Sequence, residues 1–486
     1  MRESSVKFVK DVWVVGVTNI IIALSGIILL PILTKTLGAS NYGIWVQAIV
    51  TINLITPLAT LGLSGAMVRF LAAEKDIKEI QEGLFSTIVS VFLVGCVASF
   101  LLVIFSALLA KSFFGNAVDI LKILAFIIPF WCVDVVFLDF FRAFRQIKRY
   151  SAFKIGVAYG EVGAVLFSVL SGFGLKGAVL SLLAVRIVFF LIMLYLILRQ
   201  IGVKLPIFKN IKLYLNFGLP LVPSAIAQWA ISLSDRYVIG FFLGVASVGF
   251  YSPGYAIGTL IVILFEPIVF VLLPTLYKLF DEQRIDETKK YLSLSLKYFL
   301  LFAIPAGAGL FILSKQVLTI LSTTEIAENG YYITPFIAVA TILWGVYEIF
   351  ARVLDMFKKT KIIGAVRSVA AFINLILNII FIPIFGIVGA AVTTLIAYTL
   401  TAVAAIYFSR KYLKFETDFV FIIKSVVASA VMVVVILGLN PHSIVEVLIS
   451  IAAGGVVYMG VLLLLKGWSY EEIKFVLRLG SNERVR

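Results

Sequence analysis

The chain has 486 residues, of which 62% are hydrophobic and only 14% are charged, and its mean hydropathy is +1.11. Apolar runs of about twenty residues recur along the whole length, which predicts a polytopic, all-α integral membrane protein and excludes a soluble domain. The formal net charge is +15, and His442 is the only histidine, which excludes a histidine-based metal site.

The apolar runs predict about fourteen transmembrane helices. The first, at 12–34, follows a short basic segment that resembles a signal peptide, but we expect it to stay in the protein because it is the repeat partner of a later helix. The others are predicted at 43–68, 84–110, 119–141, 152–173, 177–198, 213–242, 247–277, 291–321, 331–354, 362–383, 386–409, 418–439 and 443–465.

Three patterns recur at a nearly constant offset. The recurring pairs are Gly174 with Gly386, Gly38 with Gly244, and Arg142 with Arg352, at offsets of 212, 206 and 210 residues. An even number of helices in each repeat unit gives both units the same direction in the membrane. We therefore predict two parallel-duplicated six-helix lobes, at 1–200 and 201–412, followed by two additional helices and a cytoplasmic tail at 413–486.

The basic residues predict the orientation of the chain. Thirty-four of the 41 lysines and arginines fall in the N-terminus, in the loops after even-numbered helices and the helix ends beside them, or in the C-terminal tail, and six fall on the alternate side. Cytoplasmic loops carry an excess of basic residues. We expect a multi-pass protein of the cell (cytoplasmic) membrane with both termini in the cytoplasm, and no nucleic-acid partner, because topology explains the basic excess.

Several kinds of chemistry lack support in the sequence. No Gly-Lys dipeptide occurs, so there is no Walker A loop for ATP. No segment outside the predicted helices is long enough for a catalytic or receptor domain, and no nucleophile and base stand together within them. We expect no enzymatic activity, no cofactor and no metal site.

Ionisable residues deep in the predicted helices are candidates for function, because a charge at the bilayer centre costs about 3 kcal/mol on insertion scales. The deepest are Asp134, Glu161, Arg186 and Glu266. Pro267 follows Glu266 and frees a backbone carbonyl beside the carboxylate, which fits a cation site or, alternatively, a simple structural kink.

Arg186 is the most informative of these residues. Its side chain reaches only about 6–7 Å, against a half-thickness of roughly 15 Å for the hydrocarbon core, so it cannot snorkel to either surface. It must meet water, an acid or an anionic substrate. Glu161, on the preceding helix, is the nearest acid by depth, so a structural ion pair is the alternative to a role in binding substrate.

Four segments resemble those of polysaccharide-biosynthesis flippases, the O-antigen type of the multidrug/oligosaccharidyl-lipid/polysaccharide exporter superfamily. They are Leu-Gly-Ala-Ser-Asn-Tyr-Gly at 37–43, Phe-Gly-Leu-Pro-Leu-Val-Pro at 217–223, Ser-Asp-Arg at 234–236, and Ile-Pro-Ile-Phe-Gly-Ile-Val-Gly-Ala-Ala at 382–391. The resemblance spans the chain, and its motifs mark helix turns rather than a ligand site.

The resemblance implies two lobes around a central cavity and transport by alternating access. The implied cargo is an oligosaccharide linked to a polyprenyl diphosphate, moved from the inner to the outer leaflet for surface polysaccharide or glycan assembly. Membrane lipids, a polysaccharide polymerase and glycosyltransferases are the implied partners. A lipid II flippase and a cation-coupled multidrug or metabolite antiporter of the same superfamily are the alternatives.

The candidate site residues follow from depth and charge. For an anionic diphosphate we predict that Arg186 contacts the substrate, that Arg69 and Arg352 capture it near the cytoplasmic mouth, and that Asp134 and Glu161 line the cavity. We predict Glu266 and Asp134 for coupling to H⁺ or Na⁺. An inside-negative potential also favours outward movement of the diphosphate, by roughly 2.3 kcal/mol per charge per 100 mV.

Overall fold

The computed structural model describes the backbone of residues 2–467 and the side chains of residues 14–265, 272 and 275–467, and every regular element in that part of the chain is helical. Helices α1 to α9 are Arg2–Thr60, Leu63–Leu71, Ile77–Ile104, Ser106–Phe113, Val118–Ala143, Ile147–Leu170, Gly174–Ile201, Ile211–Gly218 and Val222–Leu243. Helices α10 to α17 are Val245–Gly258, Val262–Asp281, Ile285–Leu321, Thr324–Gly330, Ile333–Met356, Thr360–Arg410, Phe419–Leu439 and Ile444–Leu464. Short 3₁₀ helices occupy Leu219–Leu221 and Thr259–Ile261.

Twelve stretches of the described residues are helical, long and apolar enough to cross a membrane. Two of them, within α1 and α15, each contain two helices joined at a glycine with positive φ, Gly38 and Gly386. Dividing those two stretches at their glycines leaves fourteen apolar helical segments. The predicted all-α membrane architecture is confirmed.

The duplicated glycines adopt matching backbone conformations. Gly38 has φ 72° and ψ 173°, and Gly244, 206 residues later, has φ 83° and ψ 167°. Gly174 and Gly386 have φ 58° and 63°. The combination of positive φ with ψ near 180° at Gly38 and Gly244 is essentially restricted to glycine, so the chain needs glycine at both of these corners. The sequence repeat is therefore also a repeat of local geometry.

Some predicted helices are interrupted. The run predicted at 84–110 begins earlier, at Ile77, where the Asp76 side chain accepts a hydrogen bond from the Lys78 amide, and it ends at Ile104 before the short helix α4. The run predicted at 213–242 changes to a 3₁₀ turn around Pro220, which has no amide hydrogen to continue an α-helix. The run predicted at 247–277 is likewise divided by a 3₁₀ turn.

The chain forms two compact units. Among the described residues, the first comprises 2–253, 321–330 and 363–397, and the second comprises 254–320, 331–362 and 398–467. Each unit combines segments that are distant in sequence. The lobe boundaries at 1–200, 201–412 and 413–486 remain a prediction.

In the first unit, α5 is surrounded by other helices. Phe137, Phe140 and Phe141 on α5 are fully buried, and α5 packs against α3 and α7. Small residues permit the close approach of the neighbouring pair α6 and α7: a Cβ at Gly156 would lie only 2.8 Å from the Phe189 ring. This packing places the middle turns of α5, α6 and α7 against one another.

In the second unit, the two C-terminal helices dock onto α12. Tyr458 of α17 donates a hydrogen bond to the Leu301 carbonyl of α12 at 2.8 Å, and its hydroxyl also lies 2.8 Å from the Ser425 hydroxyl of α16. Lys297 of α12 pairs with Asp418 at 3.4 Å. Polar contacts thus fix an otherwise apolar helix pair in position.

Candidate functional site

Three of the predicted residues meet at the junction of α5, α6 and α7. Arg186 on α7 donates from Nε to Glu161 Oε1 on α6 at 2.8 Å, and its Nη2 lies 2.7 Å from the same oxygen. Its Nη1 donates to Asp134 Oδ2 on α5 at 3.3 Å. Asp134 is 1% exposed and Arg186 is 9% exposed. The Arg186–Glu161 ion pair, which the sequence left as the alternative to a substrate-binding role, is therefore present, and Asp134 joins it; contact of Arg186 with a substrate stays a prediction.

Trp131 completes this group, which we call the Arg186 cluster: Trp131, Asp134, Glu161 and Arg186. The Arg186 guanidinium carbon lies 3.4 Å from the centroid of the Trp131 ring. The electron-rich face of an indole attracts a cation. Sequence reasoning missed Trp131, although its position three residues before Asp134 places both side chains on one face of α5.

The Arg186 cluster holds two carboxyl groups and one guanidinium. With both carboxyl groups ionised, the cluster carries one negative charge in excess. Asp134 Oδ1 is buried and has no hydrogen-bond partner among the described residues. An orphaned buried carboxylate oxygen is costly unless a proton, a cation or water satisfies it.

The Arg186 cluster also keeps capacity for an anion. The contacts to Glu161 and Asp134 engage three N–H groups of a guanidinium that carries five donors. Guanidinium groups bind phosphate oxygens through parallel hydrogen bonds. The cluster therefore contains both an unsatisfied acceptor and further donors.

The two arginines predicted for capture differ in their surroundings. Arg69 lies exposed in the last turn of α2 and has no ion-pair partner among the described residues. Arg352 on α14 is held between two carboxylates, with Nη2 2.6 Å from Glu348 Oε2 and Nη1 3.0 Å from Asp355 Oδ2. Arg69 thus presents an unpaired cation, whereas the charge of Arg352 is already compensated.

Glu266, predicted for ion coupling, lies within α11, but its side chain falls outside the described residues, as does that of Pro267. Its role stays a prediction.

A further buried acid, Glu82 on α3, was not among the predicted site residues. It is 1% exposed and accepts hydrogen bonds from the Ser86 hydroxyl at 2.8 Å and from the backbone amides of Ile207 and Lys209 at 2.9 and 3.0 Å. The sequence could have indicated Glu82 as a buried acid, because it lies just over one turn inside the N-terminus of a long apolar helix. Glu82 anchors the basic linker 202–210 to the first unit.

Comparison with protein families identifies the group to which the chain belongs. A family model described as "Polysaccharide biosynthesis protein" matches residues 8–280, more than half of the chain. The chain belongs to the polysaccharide biosynthesis protein family. A second model, described as "Lipid II flippase MurJ", matches residues 250–453 of this family member.

Two similar proteins come from the archaeon Haloferax volcanii. The probable low-salt glycan biosynthesis flippase Agl15 is 26% identical over 322 residues, which cover 65% of this chain and 68% of that protein. The probable flippase AglR is 27% identical over 252 residues, covering 50% and 52% of the two chains. An uncharacterized membrane protein of Methanocaldococcus jannaschii, MJ1068, is 22% identical over 454 residues, covering 87% and 88%.

Solved structures show that this polysaccharide biosynthesis protein shares its fold with known transporters. The inward closed conformation of the lipid II flippase MurJ matches with a TM-score of 0.77 and 20% identity, covering 92% of this chain and 97% of MurJ. An inward-facing multidrug resistance MATE family transporter of the MOP superfamily matches with a TM-score of 0.64 and 15% identity, covering 79% and 93%. The chain is a multi-pass membrane protein with this fold.

Proposed function

We propose that this protein is a flippase that moves a polyprenyl-diphosphate-linked oligosaccharide from the inner to the outer leaflet of the cell membrane by alternating access. The observation that carries the proposal is membership of the polysaccharide biosynthesis protein family, supported by similarity to two archaeal proteins named as flippases. Both termini face the cytoplasm, and the translocated glycan passes to a polymerase or glycosyltransferases on the outer side.

In this proposal the Arg186 cluster couples binding of the substrate diphosphate to uptake of a coupling ion. Asp134 takes up H⁺ or Na⁺ at its unpartnered oxygen, which weakens its longer, 3.3 Å contact to Arg186. Arg186 then turns its donors to the substrate diphosphate, while Glu161 keeps the guanidinium in place. The unpaired Arg69 captures the diphosphate first. Arg352 assists in capture once Glu348 or Asp355 releases the Arg352 guanidinium. Glu266 provides a second ion site.

The direct test is flipping in proteoliposomes that contain the purified full chain and a fluorescent oligosaccharide on a polyprenyl diphosphate. We expect the wild type to expose the label to a membrane-impermeant quencher, Arg186→Lys to retain part of this rate, and Arg186→Ala to abolish it, because lysine keeps the charge but loses the bidentate geometry. Arg199→Ala on the same helix is the matched control, since Arg199 is exposed and has no ion-pair partner among the described residues. No flipping by well-folded wild-type protein would refute the proposal.

A lipid II flippase is the second candidate, because the MurJ family model covers residues 250–453. The same proteoliposomes loaded with lipid II distinguish the two cargoes. Faster movement of lipid II than of the oligosaccharide lipid would favour this candidate. Export of a cationic dye with neither lipid moving would instead favour the alternative of a multidrug antiporter; a multidrug resistance transporter is among the proteins that share the fold.

A further inference from the structure

The C-terminal end of α15 carries a cavity with an unusual lining. The cavity has a volume of about 680 Å³ and is lined by Val403, Ile406, Tyr407, Arg410, Lys411 and Lys414. The spacings of three and four residues place the members from Val403 to Arg410 on one face of the helix. We call this region the 403–414 surface. Its volume lies within the range of small-ligand sites, about 300–1,000 Å³.

The polar half of the 403–414 surface is purely cationic. Arg410, Lys411 and Lys414 are exposed, and none of them has a carboxylate partner among the described residues. The nearest downstream acid, Glu416, makes no ion pair with them among the described residues, and the next acid, Asp418, is paired with Lys297. Three positive charges therefore line one pocket without a direct carboxylate partner among the described residues, which favours an anionic ligand.

The other half of the 403–414 surface is apolar. Val403 and Tyr407 are each 58% exposed, and Lys411 Nζ lies 4.3 Å from the centroid of the Tyr407 ring. The order along the chain, from the last turns of α15 into the segment after it, is aliphatic, then aromatic, then basic. This is the order of environments from the hydrocarbon core to the headgroup region. A ligand that fits both halves has a hydrocarbon chain and an anionic head.

We propose that the 403–414 surface is a specific binding site for the phosphate headgroup of an anionic membrane phospholipid. Arg410, Lys411 and Lys414 bind the phosphate, Tyr407 lies at the level of the glycerol, and an acyl chain runs along Val403 and Ile406. The exposure of Val403 and Tyr407 favours a lipid of the surrounding bilayer. The general excess of basic residues on the predicted cytoplasmic side explains positive charge there, but it does not explain a lined cavity that continues onto an apolar face.

This site goes beyond the proposed transport and does not depend on it, because the readout is binding. The full chain is purified in a neutral detergent, and adducts with phosphatidylglycerol, phosphatidylcholine, farnesyl diphosphate and inorganic pyrophosphate are measured by native mass spectrometry. The test variant carries Arg410→Gln, Lys411→Gln and Lys414→Gln. The control carries Lys75→Gln, Lys148→Gln and Lys361→Gln, which removes the same charge from exposed lysines predicted to lie on the same side.

We expect one tight phosphatidylglycerol site in the wild type, with phosphatidylcholine and pyrophosphate bound far more weakly. The test variant should lose affinity for phosphatidylglycerol on the order of 100-fold, and the control should change less than about 3-fold. Equal losses in both variants would show non-specific attraction and overturn the proposal. Binding of farnesyl diphosphate at least ten times tighter than phosphatidylglycerol would overturn the phospholipid assignment and identify the site with the diphosphate of a polyprenyl carrier.

Discussion

Gly43 and Gly249 occupy reciprocal positions in one close backbone contact of the first unit. A Cβ at Gly43 would lie 3.0 Å from the Val245 carbonyl carbon, and a Cβ at Gly249 would lie 2.8 Å from the Ala39 carbonyl carbon. Val245 is the repeat equivalent of Ala39, as Gly249 is of Gly43, at the same offset of 206 residues. The two repeats therefore meet through equivalent atoms, as the halves of a two-fold contact do.

This contact predicts equal effects of Gly43→Ala and Gly249→Ala. Each added methyl would overpack against backbone that cannot move aside, and we expect each to lower the free energy of unfolding by about 1–3 kcal/mol. Denaturant unfolding in detergent measures this loss. Gly65→Ala is the control, because a Cβ at Gly65 has open space, and it should leave stability unchanged or slightly higher. A loss at one of the two glycines without a loss at the other would contradict the reciprocal contact.

The Arg186 cluster predicts a separation of stability from transport. Arg186→Ala leaves Asp134 and Glu161 as buried, uncompensated carboxylates, and we expect a loss of about 3–5 kcal/mol of stability. The neutral triple variant Arg186→Met, Glu161→Gln, Asp134→Asn should regain most of that stability, because no buried charge remains.

Measurement of transport then distinguishes a role of the Arg186 cluster in substrate binding from a purely structural role. We expect the neutral triple variant to fold and to be inactive in the flipping assay. We likewise expect the charge-swapped pair Arg186→Glu, Glu161→Arg to keep the ion pair but not the transport. Full transport by either variant would show that the cluster is structural.

Glu82 predicts the behaviour of the linker 202–210. Removing this buried acceptor in Glu82→Ala leaves the amides of Ile207 and Lys209 without their partner, and we expect a loss of roughly 1.5–3 kcal/mol for the charge-assisted hydrogen bonds. Faster amide exchange in the linker and faster tryptic cleavage after Lys204 and Lys209 would report this release.

Glu79→Gln, one turn earlier on α3, is the control for the linker experiment. Glu79 also contacts the linker, through a 2.8 Å pair with Lys209, but the lysine side chain is 58% exposed. An exposed pair contributes only about 0–1 kcal/mol. Equal release of the linker by both variants would mean that burial of Glu82 is not what fixes it.

The matching turns at Gly174 and Gly386 predict that both lie on the outer side of the membrane. Cysteines at the neighbouring exposed positions Phe173 and Phe385 avoid the strain of substituting the glycines themselves. In a background without Cys96 and Cys132, we expect both to react with an impermeant maleimide added to intact cells. Labelling from opposite sides would exclude the parallel duplication.

Features that depend on local composition could be predicted from the amino-acid sequence. Twenty-residue apolar runs can be satisfied only by helices in a membrane, because every backbone polar group must bond within its own segment. The repeat of Gly38 at Gly244 was visible without a structure because the glycines recur at a nearly constant offset in the sequence. Depth along a helix also follows from residue number, which is why Glu161 could be named as the partner of Arg186.

Features that depend on the rotation of helices about their axes and on packing between helices could not be predicted from the sequence. Asp134 reaches Arg186, and Trp131 stacks on it, because α5 turns that face toward α6 and α7, and a helix that is apolar on all sides gives no sign of which face it turns inward. Glu82 found its partners in a linker more than 120 residues away in the sequence. Arg69 is unpaired because helix packing places no carboxylate beside it in the described part of the chain. The pattern of charges along the chain does not specify its neighbours.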